Sequence, residues 1–189
     1  MRYAVLAAVC LMTAGSVART ADETEAKNLV VNGGFEDGPE VPGDPGWVTL
    51  EKDATGIKGW VVSRGTVDFI GSYWKAADGK ASLDMNGNDV GGIKQTITTV
   101  KGKKYKLTFQ LAGNPAAEPR MKELTVEVGT TKKAFSFDTT GKSLEDMGWK
   151  LQELEFTAED DQTTLEFYST TGETACGPAL DDVKVVAVK

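Results

Sequence analysis

The stretch Tyr105-Lys106-Leu107-Thr108-Phe109-Gln110-Leu111 alternates aromatic or aliphatic residues with polar ones. A period of two is the pattern of a strand with one buried face, so this segment reads as the centre of a half-buried sheet. Working outward, the same alternation returns in residues 124–128, 134–137, 165–167 and 183–185. Further strands are expected at residues 28–31, 59–62, 67–70, 81–85 and 93–98. Turn signals separate them: Asp44-Pro45-Gly46, Asp78-Gly79, Asn86-Gly87-Asn88, Lys101-Gly102, Gly113-Asn114-Pro115 and Thr140-Gly141. Many short strands with frequent turns predict an all-β jelly-roll β-sandwich. One short helix is expected at Ser143-Leu144-Glu145-Asp146, where Ser143 can cap a first turn before Gly148 ends it. Beyond it, Trp149 and Leu151 share one parity while Leu154 and Phe156 take the other, which predicts a β-bulge at Gln152-Glu153.

The 189 residues suit one domain. They include no histidine, 28 acidic and 21 basic side chains, for a net charge of −7. Without an imidazole, Ser-His-Asp and Cys-His catalysis and His-ligated metals are excluded. The acidic balance argues against nucleic acid, whose phosphates call for clustered Lys and Arg.

At the N-terminus Arg2 precedes a short apolar run, 3–15, and Ser16-Val17-Ala18 offers the small residues of a cleavage site. Residues 1–18 are therefore expected to be a secretory signal peptide, and the polar residues 19–27 a disordered lead to the domain at 28–189. No other apolar run is long enough for a transmembrane anchor, so the mature protein is expected outside the cytoplasm, secreted or periplasmic. Removal of Cys10 with the signal leaves Cys176 alone, read as a partly buried small hydrophobe.

Three segments carry a more specific pattern: Asn28-Leu29-Val30-Val31-Asn32-Gly33-Gly34-Phe35-Glu36, the block from Gly71-Ser72-Tyr73-Trp74 to Asn86-Gly87, and Gly177-Pro178-Ala179-Leu180-Asp181-Asp182-Val183. With them the chain resembles the bacterial choice-of-anchor C family, related to the plant cell-wall proteins grouped as domain-of-unknown-function family 642. The resemblance implies a galactose-binding-like fold, export, association with cell-wall polysaccharide and no catalytic activity. Members of the family often end in a sorting tail; here the chain ends with a strand, and an unanchored protein is expected.

Carbohydrate modules with similar end motifs use acids there to hold structural calcium. That implies a site at Glu36 and Asp181, with Asp182 and Asp84 as weaker ligands; the other reading of Glu36 is a turn cap accepting backbone N–H groups. For glycan binding, an aromatic ring stacks on the apolar face of a sugar while amides and carboxylates take its hydroxyls. Tyr73 and Trp74 fit the first role, because adjacent rings in an extended segment cannot both point inward. Asp78, Asn86, Asn88 and Asn114 fit the second. Trp60 and Trp149 read as core, and Trp47 as either. The polysaccharide-binding expectation stands beside two others: an adhesive or structural matrix protein, and a weak glycoside hydrolase using a carboxylate pair drawn from Asp68, Asp84 and Asp138.

Overall fold

The computed structural model describes residues 27–172 and 174–188. The expected signal, 1–18, and residues 19–26 lie outside the described residues. The described chain forms β1 (Trp47–Glu51), β2 (Val61–Arg64), β3 (Thr66–Ile70), β4 (Ser82–Asp84), β5 (Gly92–Thr98), β6 (Lys104–Gly113), β7 (Met121–Val128), β8 (Thr131–Asp138), β9 (Lys150–Thr157), β10 (Gln162–Ser169) and β11 (Pro178–Ala187). They build two antiparallel sheets, a six-stranded one in the order β1-β3-β4-β11-β6-β9 and a five-stranded one in the order β2-β5-β10-β7-β8. The result is the expected all-β jelly-roll sandwich.

The alternation in β6 does what its period dictates. Tyr105, Leu107, Phe109 and Leu111 are buried while the lysines and Thr108 stand toward solvent. Phe109 meets Phe135 of β8 at 5.1 Å and Phe167 of β10 at 5.4 Å between ring centres, both edge to face, and Phe167 continues to Trp60 at 6.1 Å. Phe109 thus joins one sheet to the other through ring edges.

Antiparallel partners share a face. Phe69, Leu83, Leu180 and Leu111 are register partners in succession and all are buried against the other sheet. The neighbouring row, Thr49, Asp68, Asp84, Ala179 and Ala112, therefore points outward. That outward face is covered by loops, which is why Asp68 and Asp84 are buried there.

Three expectations need correction. Residues 28–31 are not a strand: Leu29 N–H reaches Val185 O, but the neighbouring bonds run through the side chains of Asn28 and Gln95, so no ladder forms. Residues 143–146 close as a tight turn, Ser143 and Asp146 exchanging backbone bonds. β9 pairs with β6 in unbroken register, so there is no bulge at Gln152-Glu153 and Leu151 simply stands exposed at 56%. The bulge lies in β11 instead, between Asp181 and Lys184, where Asp182 has a φ of 48°. Strand β1, which directly follows the turn at residues 44–46, was not anticipated.

The Asn-Gly-Gly-Phe-Glu segment docks on that bulge. Val183 N–H donates to Gly33 O, and a Cβ on Gly33 would lie 1.9 Å from Val183 O, so no side chain fits at that position. Replacing Phe109 with Ala should cost about 3–5 kcal/mol, because it opens a cavity at the centre of the ring cluster. Urea denaturation of wild type and F109A checks this, and a loss below about 1 kcal/mol would contradict the bridging role.

Candidate functional site

On the outward face of the six-stranded sheet a cleft of about 260 Å³ is lined by Trp47 and Thr49 of β1, Asp68 and Ile70 of β3, Asp84 of β4, and the loop residues Tyr73, Gly87, Asn88, Asn114, Ala175 and Cys176. Trp47 and Tyr73 pack edge to face with ring centres 4.7 Å apart. Their placement begins at Gly46, whose carbonyl accepts the N–H groups of Gly71 and Ser72 and so holds the start of the loop 71–81 against β1.

Asp68 Oδ1 accepts the Thr49 hydroxyl at 2.6 Å. Asp84 is more deeply engaged: Oδ1 accepts the N–H groups of Asn86 and Gly177 at 3.0 and 2.8 Å, and Oδ2 accepts the Asn114 amide at 2.9 Å. Burial pushes the Asp84 carboxyl up to about 7, against the pull of those donors, and the nearby Asp68 pushes the same way. Asp68 is raised too, again by burial and against the Thr49 bond. Burial likewise raises the Cys176 thiol. Behind the cleft, the fully buried Lys122 donates to Ala117 O and Cys176 O, holding two of the loops that cover the sheet.

Glu36 and Asp181 meet one loop from two directions. Glu36 Oε1 accepts the N–H groups of Lys80 and Ala81, and Asp181 Oδ2 accepts those of Ala77 and Asp78. Asp181 Oδ1 takes Asp182 N–H, while Asp182 pairs with Lys184. Among the described residues no group of three or more His, Cys, Asp or Glu is arranged to hold a metal ion. The carboxylates of Glu36, Asp181 and Asp84, expected as calcium ligands, accept backbone N–H groups.

The family model described as "Protein of unknown function (DUF642)" matches residues 28–186. The chain belongs to the DUF642 family. Halomucin of Haloquadratum walsbyi is 35% identical over 187 residues, which is 97% of this chain and 2% of halomucin. Protein DUF642 L-galactono-1,4-lactone-responsive gene 2 of Arabidopsis thaliana is 30% identical over 179 residues, 86% of this chain and 47% of the plant protein. The chain thus spans a small fraction of the first relative and about half of the second. Among solved structures, TmCBM61 in complex with β-1,4-galactotriose superposes with a TM-score of 0.52 at 14% identity, covering 86% of this chain and all of that one. At that identity the likeness is one of fold.

In this DUF642 domain the residues singled out from sequence divide. Tyr73, Asn88 and Asn114 line the cleft, and so does Asp84, expected as a metal ligand. Trp74 does not: it is buried at 4% and its indole donates to Ser82 Oγ at 2.8 Å, so the tryptophan of the adjacent pair is the core plug. Asn86 is buried and holds Thr174 O, and Asp78 contributes its backbone N–H to Asp181 while its side chain is exposed. Asp138 sits at the end of β8 in the other sheet and accepts Thr140 N–H, away from Asp68 and Asp84. Trp47, left open between core and surface, lines the cleft, and Thr49 was missed; Trp-Val-Thr-Leu alternates, but the Gly and Pro residues before it read as loop.

Asp84 and Asp181 are both raised to about 7, chiefly by burial. Such groups hold their protons more tightly folded than unfolded, so their contribution is complete below about pH 4 and is lost as pH rises through about 7. The DUF642 domain should melt at falling temperature from pH 4.5 to pH 7.5. In D84N, whose side chain at 84 no longer titrates, the slope should be shallower. A wild-type melting profile that is flat or rising over this window would contradict the assignment.

Proposed function

We propose that the chain is a non-catalytic carbohydrate-binding module acting on cell-wall or extracellular polysaccharide after export directed by residues 1–18. The observation that carries this is the cleft itself. It sets two half-exposed rings, Trp47 and Tyr73, beside the oxygen and amide groups of Asp68, Asp84, Asn88 and Asn114. A pyranose offers an apolar face and a rim of hydroxyls, and this lining supplies a partner for each. The β-1,4-galactotriose bound by TmCBM61, on the same fold, supports the reading.

Retention on insoluble polysaccharides, followed by a glycan array, tests it. Y73A and W47A should each weaken binding roughly tenfold to thirtyfold, about 2 kcal/mol, as expected for a stacking ring in a small site. No retention on any glycan by the wild type, or retention unchanged in both variants, would overturn the reading. A second reading, hydrolysis, is favoured by one feature: Asp68 and Asp84 are direct register partners with raised carboxyls. Reducing sugar released by the wild type and not by D84N would select it.

A further inference from the structure

The outward face of the six-stranded sheet holds a second hollow, of about 390 Å³, on the other side of the loop 71–81. Tyr73 of that loop faces the cleft, while Lys75, Ala76 and Ala77 line the hollow. Its opposite wall is Trp149, half-buried, with the indole N–H fixed on Lys75 O at 3.1 Å. Gln110 forms part of the lining, and the exposed Glu145 and Asp146 stand at its edge. Gln110 pairs with Asp181, on the same outward side as Asp84 and Ala179. The two depressions are therefore on one surface: Gln110 of β6 lines one and Asn114, just past the end of β6, lines the other, four residues on, or about 13 Å at a strand rise of ~3.3 Å per residue.

We infer that this hollow is a second sugar subsite and that the ligand is an extended, internal stretch of a polysaccharide chain, running across the loop 71–81 from Tyr73 to Trp149. The inference rests on the carbohydrate reading of the cleft. Its chemistry repeats the cleft's: an indole held in place by a backbone carbonyl, an amide that both donates and accepts, and carboxylates for hydroxyls. Two sites on one rigid surface reward a chain long enough to reach both and give nothing extra to a single sugar. The loop between them is held by Glu36 and Asp181, so the spacing is set before the ligand arrives.

Calorimetric titration with β-1,4-linked galactose, xylose and glucose oligomers of one to six units decides it. For the series that binds, wild-type affinity should rise tenfold or more once the oligomer spans both subsites. W149A should abolish that rise and leave the affinity for the shortest bound oligomer unchanged; Q110A should reduce the rise in the same way, and it covers the case in which W149A loses its near-ultraviolet circular dichroism and is unfolded. Y73A should weaken every length. Affinity independent of length in the wild type, or a rise preserved in both Q110A and a folded W149A, overturns the second subsite while the cleft reading stands. If no oligomer binds and no polysaccharide retains the protein, both fall together.

Discussion

Two carboxylates 145 positions apart in sequence, Glu36 and Asp181, grip four backbone N–H groups of a single loop, residues 77–81. The course of the loop 71–81 over the outward face depends on that grip. The loop carries Tyr73 into the cleft, plugs the core with Trp74 and presents Lys75 O to Trp149. A surface loop of this length has no ladder of its own and would otherwise sample many conformations. Charge-assisted bonds to backbone donors are the strong kind, and here they come from the two ends of the fold at once. These acids gather distant segments by satisfying their polar groups.

The interior beneath the cleft is polar. Asp84 is buried with three donors on it, and Lys122, wholly buried, has carbonyl partners. Burying charge is costly and is offset only where each group finds its bonds. Both residues spend their bonds on loops: Asp84 on 86, 114 and 177, Lys122 on 117 and 176. Gly113 belongs to the same arrangement, since a Cβ there would come 2.5 Å from Lys122 Cγ. The polar interior therefore stabilises the loops' positions more than the sandwich itself, which the ring cluster around Phe109 already holds.

Strand periodicity made most of the sandwich legible, because burial of one face imposes a period of two wherever a strand pairs on both sides. It failed where bonding is not ladder-like. Residues 28–31 have the residue types of a strand yet bond through Asn28 and Gln95 side chains. At the site, adjacency correctly separated Tyr73 from Trp74 but could not say which ring turns inward. Ser82, eight residues on, decides it by offering a buried acceptor to the indole. Asp68 and Asp84 looked like two among many acids; only register, Asp68 opposite Asp84 opposite Ala179, puts them on one row. Lys122 carried no sequence signal at all, being one lysine in an alternating strand.

The bulge in β11 divides that strand into two independent commissions. Leu180 faces the core before it, and Val183 and Val185 face the core after it, although simple alternation would have turned Asp182 and Lys184 inward. The extra residue resets the count. Before the bulge Leu180 enters the core while Asp181 meets the outward loop, and after it residues 183–187 answer to the core and to the docked N-terminal segment. The bulge thus lets one strand keep its core contacts on both sides of the joint while Asp181 stays on the outward side, free to hold the loop 71–81.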